Sequence, residues 1–314
     1  MPMEEHSHGI SAAQAAIDTR LRQRLMLAFF LVFAIFLAQG IGALISGSLA
    51  LLVDMFHALV DSTGLLVALV TAVMMSRPAN KHRTWGFRRL EVISALLQAA
   101  LLAFVAIYAA IEAIDRWNHP PTVDPHQLLI FGCIALTLNL LAAYVMHADR
   151  AANFNMKAAF LEVAMDALGT LSVIVSAIIG ITTGFTRVDA AAALFIALLM
   201  APRALLLMRD TLRVLMEFTP AELDLDEVRE HLLALEHVTG VHDLHASTVA
   251  TGLPQISGHI QVNEQCFHDG CAPDVLAQAQ QCVAEHFPVQ INHATFQLEP
   301  NNFTSCQHNP ELHV

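Results

Sequence analysis

The sequence predicts an α-helical membrane protein with six transmembrane helices, followed by a C-terminal α+β domain of the ferredoxin-like kind. Two observations predict the membrane part: only 14% of the 314 residues are charged, and 55% are hydrophobic. Soluble proteins carry roughly 25% charged residues. A third observation predicts the second domain, because the formal net charge of −12 arises after position 216, where acidic residues outnumber basic ones. This uneven charge indicates two parts of different character.

Six apolar stretches are long enough to cross a bilayer, which takes about 20 largely apolar residues. Short polar connections separate them. We predict membrane-spanning helices over residues 25–45, 48–75, 91–114, 126–147, 158–180 and 188–208. The first stretch has the length of a spanning helix, and no small-residue cleavage site closes it. We therefore expect no cleaved signal peptide, and a six-helix domain over residues 25–208.

Lys and Arg are distributed unevenly between alternate connections. If the N-terminus is cytoplasmic, thirteen of them before residue 216 lie on the cytoplasmic side and only Arg116 and Arg187 lie outside. Positive charge is retained on the cytoplasmic side. Both termini are therefore expected in the cytoplasm, with residues 1–24 as a cytoplasmic segment. Basic residues that follow membrane loops do not form the soluble basic face that nucleic-acid binding requires.

We predict a cytoplasmic domain over residues 209–300 and a flexible tail over residues 301–314. Helical periodicity alternates there with short stretches typical of strands. The predicted order is α-β-β-α-β, over residues 224–236, 241–250, 256–263, 273–286 and 291–298. This order fits a small ferredoxin-like α+β sandwich. Its cysteines are expected to remain thiols, because the cytoplasm is reducing.

Ionisable residues inside the apolar stretches are the main functional signal. Asp54, His57 and Asp61 lie in the second stretch, and Glu162 and Asp166 in the fifth. A carboxylate at mid-bilayer costs several kcal/mol, so such residues mark an ion path or a paired site. His57 and Asp61 are four residues apart, as are Glu162 and Asp166, so each pair projects from one helix face. Asp54 alone is equally well explained as a helix-helix contact.

Two facing helices of this kind would bring together one imidazole and three carboxylates. Zn²⁺ accepts four such N and O ligands in a tetrahedron. All four groups bind protons when they hold no metal, so metal and protons compete for them. The spacing therefore predicts an exchange of a divalent metal for protons, with zinc as the transported substrate. No base or nucleophile in the stretches has an evident catalytic role, which favours a transporter over an enzyme.

These motifs resemble those of the cation diffusion facilitator family, in the right order and over nearly the whole chain. The family carries H-x-x-x-D on its second helix and a matching pair on its fifth. The matching segments here are His57–Asp61, Glu162–Asp166, the loop Arg83–Glu91, and the soluble stretches Val241–His245 and His293–Glu299. The resemblance implies alternating access, metal-proton antiport and a homodimer in the membrane lipid. It also implies a cytoplasmic domain that binds metal as a regulatory ligand and helps the chain to dimerise.

The resemblance suggests ligands for that cytoplasmic metal. It favours His242, His259 and His293, with Glu299 and His245 as further candidates. Surface or strand-packing histidines are the alternative interpretation, because neutral histidine is a common ligand but its spacing alone does not fix a site. A second cluster, of Cys266, His268 and Cys271 in one loop, combines thiolate and imidazole and could hold a zinc ion by itself.

The chain departs from the family pattern at two points. Glu162 stands where many zinc-selective members carry His, and a carboxylate-rich site suits Mn²⁺ and similar ions better than imidazole does. Cadmium, cobalt or manganese could therefore also be carried. The connection over residues 147–157 is short and lacks a His-rich loop, which favours a bacterial inner-membrane protein.

Three other functions use the same residues. A passive divalent-metal channel would need no protons, but the sequence offers no ring of ligands along a pore. A membrane-embedded zinc enzyme would keep one coordination position open, whereas four protein ligands would close it. A metal-sensing membrane scaffold would depend on the cytoplasmic histidines and not on the membrane pairs.

Overall fold

The structure is a computed structural model that describes residues 30–75, 77–147 and 154–301. Within these ranges it describes the side chains of all residues except 65, 66, 68, 69, 72, 145–147 and 154–162. The predicted N-terminal segment 1–24 and nearly all of the predicted tail 301–314 lie outside the described residues.

Helices follow one another along the first two thirds of the chain. They are α1 (Phe30–Ser46), α2 (Leu49–Met75), α3 (Leu90–Asn118), α4 (Pro125–His147), α5 (Phe154–Thr183) and α6 (Val188–Leu215). Among the described residues, four of them, α3 to α6, are long and apolar enough to cross a membrane. The predicted spans 25–45 and 48–75 coincide with α1 and α2, and their crossing of the membrane stays a prediction.

The chain divides into two compact units. The first comprises Met1–Leu69 and Leu97–Leu207, and the second comprises Val70–Leu96 and Met208–Val314. The predicted six-helix domain over residues 25–208 stays a prediction, and in the structure residues 70–96 group with the C-terminal part of the chain.

Small residues line the packing faces of the helical unit. Ala106 and Ala109 of α3 and Ala193 and Ala197 of α6 are buried in its core. Small side chains allow helix backbones to approach closely, which is the main source of packing energy between helices in lipid. Gly42 of α1 shows how close this approach is, because a Cβ added there would lie 2.5 Å from Cβ of Phe131.

A buried carboxylate joins the beginnings of α2 and α6. Asp189 accepts a hydrogen bond from the Ser48 hydroxyl at 2.5 Å and another from the Leu49 backbone N–H at 2.7 Å. The first N–H groups of a helix have no partner inside it, and a carboxylate at that end also complements the helix dipole. Asp189 thus supplies a cap for α2 from 140 residues away and aligns the start of the helix that carries His57 and Asp61.

The second unit contains a three-stranded sheet with helices on one side. Its elements are α7 (Leu225–Leu233), β1 (Val238–Ala250), β2 (Leu253–Val262), α8 (Gln265–Asp269), α9 (Ala272–Glu285) and β3 (His293–Pro300). The strand order is β1-β2-β3, with β1 antiparallel and β3 parallel to β2. The predicted α-β-β-α-β order is present, with the short helix α8 added between β2 and α9.

The two faces of this sheet differ in polarity. Ile256 and Ile260 of β2 are buried in a core that also contains Val228 of α7 and Val283 of α9. Side chains alternate between faces along a strand. The alternate positions of β2, including His259, therefore lie on the opposite, polar face, where a candidate ligand cluster forms.

Cys266 and Cys271 are joined by a disulfide bond, so the expectation that the cytoplasmic cysteines remain thiols is wrong for this pair. The local backbone explains the approach of the two residues. Helix α8 ends at Gly270, which has a left-handed φ of 81°, and the chain turns so that the Cys271 N–H donates to the Cys266 carbonyl. The predicted zinc loop of Cys266, His268 and Cys271 therefore does not present two thiolates. Cys282 is a buried free cysteine, and burial raises the pKa of its thiol.

Candidate metal centre

One turn of α2 presents a histidine and a carboxylate from the same face. Nε2 of His57 lies 3.3 Å from Oδ2 of Asp61, and each side chain is only 11% exposed. The spacing of four residues produces this approach, because positions i and i+4 stack along a helix. The pair that the sequence singled out is therefore brought together as expected.

Helix α5 adds a second carboxylate to the pair. Oδ1 of Asp166 lies 3.6 Å from Nε2 of His57, and ligand atoms of His57, Asp61 and Asp166 all lie within 4.8 Å of one another. Zinc bonds of roughly 2.0–2.2 Å in a tetrahedron place neighbouring ligand atoms about 3.3–3.6 Å apart. The two distances from His57 have this size. The Glu162 side chain lies outside the described residues.

The ligand atoms of the α2 pair are buried and have no hydrogen-bond partner among the described residues. This holds for Nε2 of His57 and for both carboxylate oxygens of Asp61. A buried polar atom left in this state costs about 1–3 kcal/mol, and more when it is charged. A cation that binds these atoms removes that cost. The arrangement is therefore chemically suited to a divalent ion or to protons.

Asp54 does not join this group and takes part in a hydrogen-bond network between helices. Its Oδ2 accepts a hydrogen bond from Nε2 of Gln39 in α1 at 2.5 Å and from the Thr170 hydroxyl of α5 at 2.8 Å. Nδ2 of Asn139 in α4 donates to the same hydroxyl at 3.0 Å. Among the two interpretations of Asp54, the structure favours a contact between helices.

A small cavity adjoins both groups of residues. Its volume is about 20 Å³, and its polar lining comes from Gln39, Asp54, His57, Asn139 and Asp166. A cavity needs roughly 10–15 Å³ to hold one water molecule. The space beside His57 and Asp166 is therefore sufficient for a single water molecule or ion.

The polar face of the sheet carries a second cluster, which we call the sheet cluster: His242, His259 and Glu299. Nε2 of His242 lies 3.2 Å from Oε2 of Glu299, and Nδ1 of His259 lies 2.6 Å from Oε1. Glu299 is only 2% exposed, and its Oε1 also accepts a hydrogen bond from Gln297. The three residues can offer ligand atoms within 4.8 Å of one another.

Strand register builds the sheet cluster. His242 of β1 is paired with His259 of β2, which is paired with Gln297 of β3, two residues before Glu299. An irregularity of β1 follows His242, where Asp243 adopts a positive φ of 52°. It turns the Asp243 carboxylate toward two histidines, with Oδ2 at 3.5 Å from Nε2 of His259 and Oδ1 at 2.6 Å from Nε2 of His245.

The structure does not bring His293 to the sheet cluster, so the predicted trio of His242, His259 and His293 is not the set that is assembled. His293 begins β3, and Glu299 lies six residues later on the same strand. Six residues of extended strand span about 20 Å. The His293 ring instead packs edge-on against Trp85 at a centroid distance of 4.7 Å. Glu299 takes the position beside the two histidines.

Several residues near the two clusters were not predicted from the sequence. Gln39 and Asn139 carry a detectable signal, because each is a lone amide in an apolar helix, where polar groups usually join helices. Asp243 carries none, because its role depends on the irregularity in β1. Arg203 was assigned to the basic cytoplasmic side only, yet its Nη2 lies 3.6 Å from Oδ1 of Asp61.

Comparison with known protein families covers nearly the whole chain. The family model described as "Cation efflux transmembrane domain" matches residues 25–216. A second model, "Cation efflux protein, cytoplasmic domain", matches residues 220–301. The boundary between the two matches falls just after the end of α6.

Individual relatives match over most of both chains. The chain is 35% identical over 275 residues to the metal cation efflux system protein CzcD of Cupriavidus metallidurans, covering 88% of this chain and 85% of that protein. It is 32% identical over 311 residues to the zinc transporter ZitB of Escherichia coli, covering 98% and 96%. It is 33% identical over 243 residues to a cadmium, cobalt and zinc/H(+)-K(+) antiporter of Bacillus velezensis, covering 77% and 78%.

Proposed function

This chain belongs to the cation efflux, or cation diffusion facilitator, family, and we propose that it exports zinc from the cytoplasm in exchange for protons. Relatives are named for zinc, and for cadmium, cobalt and zinc together. The observation that carries the proposal is the buried group of His57, Asp61 and Asp166, in which the α2 ligand atoms have no hydrogen-bond partner among the described residues.

We assign the transport site to these three residues, with Glu162 as the fourth ligand. The zinc ion is the substrate of the site. When it leaves, the carboxylates and the imidazole of the site take up protons, and when it returns these protons are released. Because the groups alternate between the two loads, a proton gradient drives metal in the opposite direction.

Asp54, Gln39 and Thr170 have a positioning role in this proposal. Their hydrogen bonds connect α1, α2 and α5 beside the small cavity. The connection holds the α2 and α5 faces at the separation that a metal with bonds of about 2 Å requires.

We further propose that the sheet cluster binds zinc as a regulatory ligand, with His242, His259 and Glu299 as its ligands. The two imidazoles and one carboxylate supply N and O donors that zinc accepts. Binding there changes transport if zinc has different affinities for two arrangements of the protein.

The architecture completes the proposal. We place six spans in the inner membrane of a bacterium, with both termini and a ferredoxin-like domain in the cytoplasm, and two copies of the chain in the working protein. The excess of Lys and Arg in alternate connections supports the orientation. The cytoplasmic-domain match supports a homodimer, as does the family resemblance.

The test is zinc uptake into proteoliposomes that contain a zinc-sensitive dye, with and without an imposed pH gradient. We expect flux that depends on the gradient in the native protein and is lost in Asp166→Ala. Asp210→Ala is a matched control, because Asp210 is an exposed carboxylate at the end of α6 and should leave flux unchanged.

Each alternative predicts a different result in this assay. A channel would carry zinc without the gradient but still need Asp166. A metal sensor or an enzyme would bind zinc and show no flux in any variant. If the Asp166→Ala variant still transports zinc, the assignment of the transport site is wrong, although the protein would still be a transporter.

A further inference from the structure

Arg203 of α6 brings a fixed positive charge to the proposed transport site. Its Nη2 lies 3.6 Å from Oδ1 of Asp61, while the other carboxylate oxygen of Asp61 faces His57 at 3.3 Å. The two oxygens of one carboxylate are therefore divided between a candidate metal ligand and a guanidinium. The Arg203 side chain is 37% exposed, whereas the Asp61 side chain is 11% exposed.

The shape of the two helices explains why Arg203 can reach Asp61. Both helices start at the Asp189 contact with Ser48 and Leu49. Asp61 is twelve residues beyond Leu49 and Arg203 is fourteen beyond Asp189, which places them about 18 and 21 Å along their helices. Side chains on a helix lean toward its N-terminus. The long Arg203 side chain therefore points back toward the level of Asp61.

We propose that Arg203 is a tethered counter-charge for the transport site, which competes with the metal for Asp61 and promotes metal release. This inference rests on the proposed function of the site. Arg203 is a positioning residue here and not a metal ligand, because a guanidinium carries only donors and stays protonated. Its effect on the metal acts through Asp61.

The competition follows from charge. With Glu162 as the proposed fourth ligand, the site has three carboxylates, which is one negative charge more than a divalent ion balances. A guanidinium beside Asp61 offsets part of that negative charge and repels the incoming cation. The Asp61 side chain is shielded from water, whereas partial exposure of the Arg203 side chain screens the interaction in part. The metal must draw Asp61 away from Arg203 to bind well, and Arg203 recovers Asp61 when the metal leaves. Arg203 therefore weakens metal binding and increases the rate of turnover.

The test is the zinc dependence of flux in proteoliposomes for the native protein, Arg203→Gln and Arg203→Lys. We expect Arg203→Gln to lower KM for zinc by about tenfold, and to lower the maximal rate, because one nearby positive charge is lost. Arg203→Lys keeps the charge and should restore both parameters to within about threefold. Arg209→Gln removes the same charge from an exposed position later in α6 and should change neither.

Other outcomes overturn the proposal. An unchanged or higher KM in Arg203→Gln would show that Arg203 does not compete with zinc. A lysine variant that behaves like the glutamine variant would show that shape matters and charge does not. If Arg203→Gln does not fold, Arg203→Met tests the same loss of charge with an apolar side chain. If neither variant folds, the ion pair with Asp61 is needed for folding, and the proposal is overturned.

A second measurement separates this inference from the proposed function. Equilibrium zinc binding by dye competition is recorded on the purified proteins, and the part that His57→Ala removes is assigned to the membrane site. If transport is absent but Arg203→Gln tightens this binding about tenfold, the counter-charge stands and the transport proposal fails. If Asp166→Ala abolishes flux but Arg203→Gln leaves zinc binding and KM unchanged, the transport proposal stands and the counter-charge inference fails.

Discussion

The membrane site (His57, Asp61 and Asp166) and the sheet cluster contain carboxylates in opposite hydrogen-bonding states. In the membrane site, both oxygens of Asp61 and Nε2 of His57 are buried without a hydrogen-bond partner among the described residues. In the sheet cluster, the buried Glu299 carboxylate contacts His242 and His259 and accepts a hydrogen bond from Gln297. The Asp61 carboxylate requires a cation to satisfy its oxygens, whereas the Glu299 carboxylate is satisfied by its own neighbours.

This difference is related to what each site has to do. A transport site must exchange its load, and ligand atoms without hydrogen-bond partners can bind either a metal or protons with only the long contact between Asp61 and Arg203 to displace. A regulatory site must persist between metal-binding events, and hydrogen bonds among its residues preserve its geometry. The same residue types therefore suit two roles, because their surroundings differ.

Removal of a ligand should separate the two sites most strongly. We expect Asp61→Ala to reduce zinc flux by more than about 100-fold, because a paired intramembrane carboxylate is lost. Glu299→Ala should leave flux at saturating zinc within about threefold, because the sheet cluster is proposed to regulate transport and not to carry the ion. The measurement is initial flux in proteoliposomes at equal protein content. Equal losses in both variants would break the distinction between the sites.

The stability of the cytoplasmic part should respond to the two variants in the opposite order, with the larger effect from Glu299→Ala. Glu299→Ala leaves His242 and His259 without their carboxylate contact, and we expect it to lower the free energy of unfolding of the cytoplasmic part by about 1–3 kcal/mol. Asp61→Ala should leave that transition unchanged. The measurement is urea unfolding of the full chain, monitored by alkylation of Cys282, whose buried thiol becomes accessible when this region unfolds. Exposed His245→Ala is the control, because His245 contacts Asp243 and not Glu299. A loss as large as that of Glu299→Ala would show that the destabilisation is not specific to the Glu299 contacts.

Selectivity should respond to the ligand type at position 162. We expect Glu162→His to increase the preference for Zn²⁺ over Mn²⁺ by roughly fivefold to tenfold, since imidazole favours zinc and carboxylate favours harder ions. Competition between the two ions for flux in proteoliposomes measures the ratio. Glu91→His is a comparison outside the site, at the start of α3. A metal ranking that is the same in the native protein and Glu162→His would contradict a ligand role for Glu162.

The parts that the sequence predicted depend on local spacing. His57 and Asp61 approach each other because four residues make about one helical turn, and this geometry holds in any regular helix. The sheet cluster depends on register between three strands and on an irregularity after His242 that places Asp243 beside His259. Its position cannot be predicted from a local period, and the family resemblance favours His293 where the structure places Glu299 beside the two histidines. The contact between Arg203 and Asp61 could not be predicted in the same way, because a basic residue near the end of a membrane helix indicates the orientation of the helix and not a partner.

The smallest effect is expected at Asp54, and it sharpens the boundary of the membrane site. Asp54→Asn keeps an oxygen that can accept the hydrogen bonds from Gln39 and Thr170. Because these contacts are retained, we expect flux within about threefold of the native rate. Asp54→Leu removes both contacts and should reduce flux further. If Asp54 were instead a metal ligand, the loss of its charge in Asp54→Asn would reduce flux as strongly as Asp61→Asn. The two asparagine variants lie about two helical turns apart on α2. Their comparison therefore decides whether the site ends at His57 or extends toward α1.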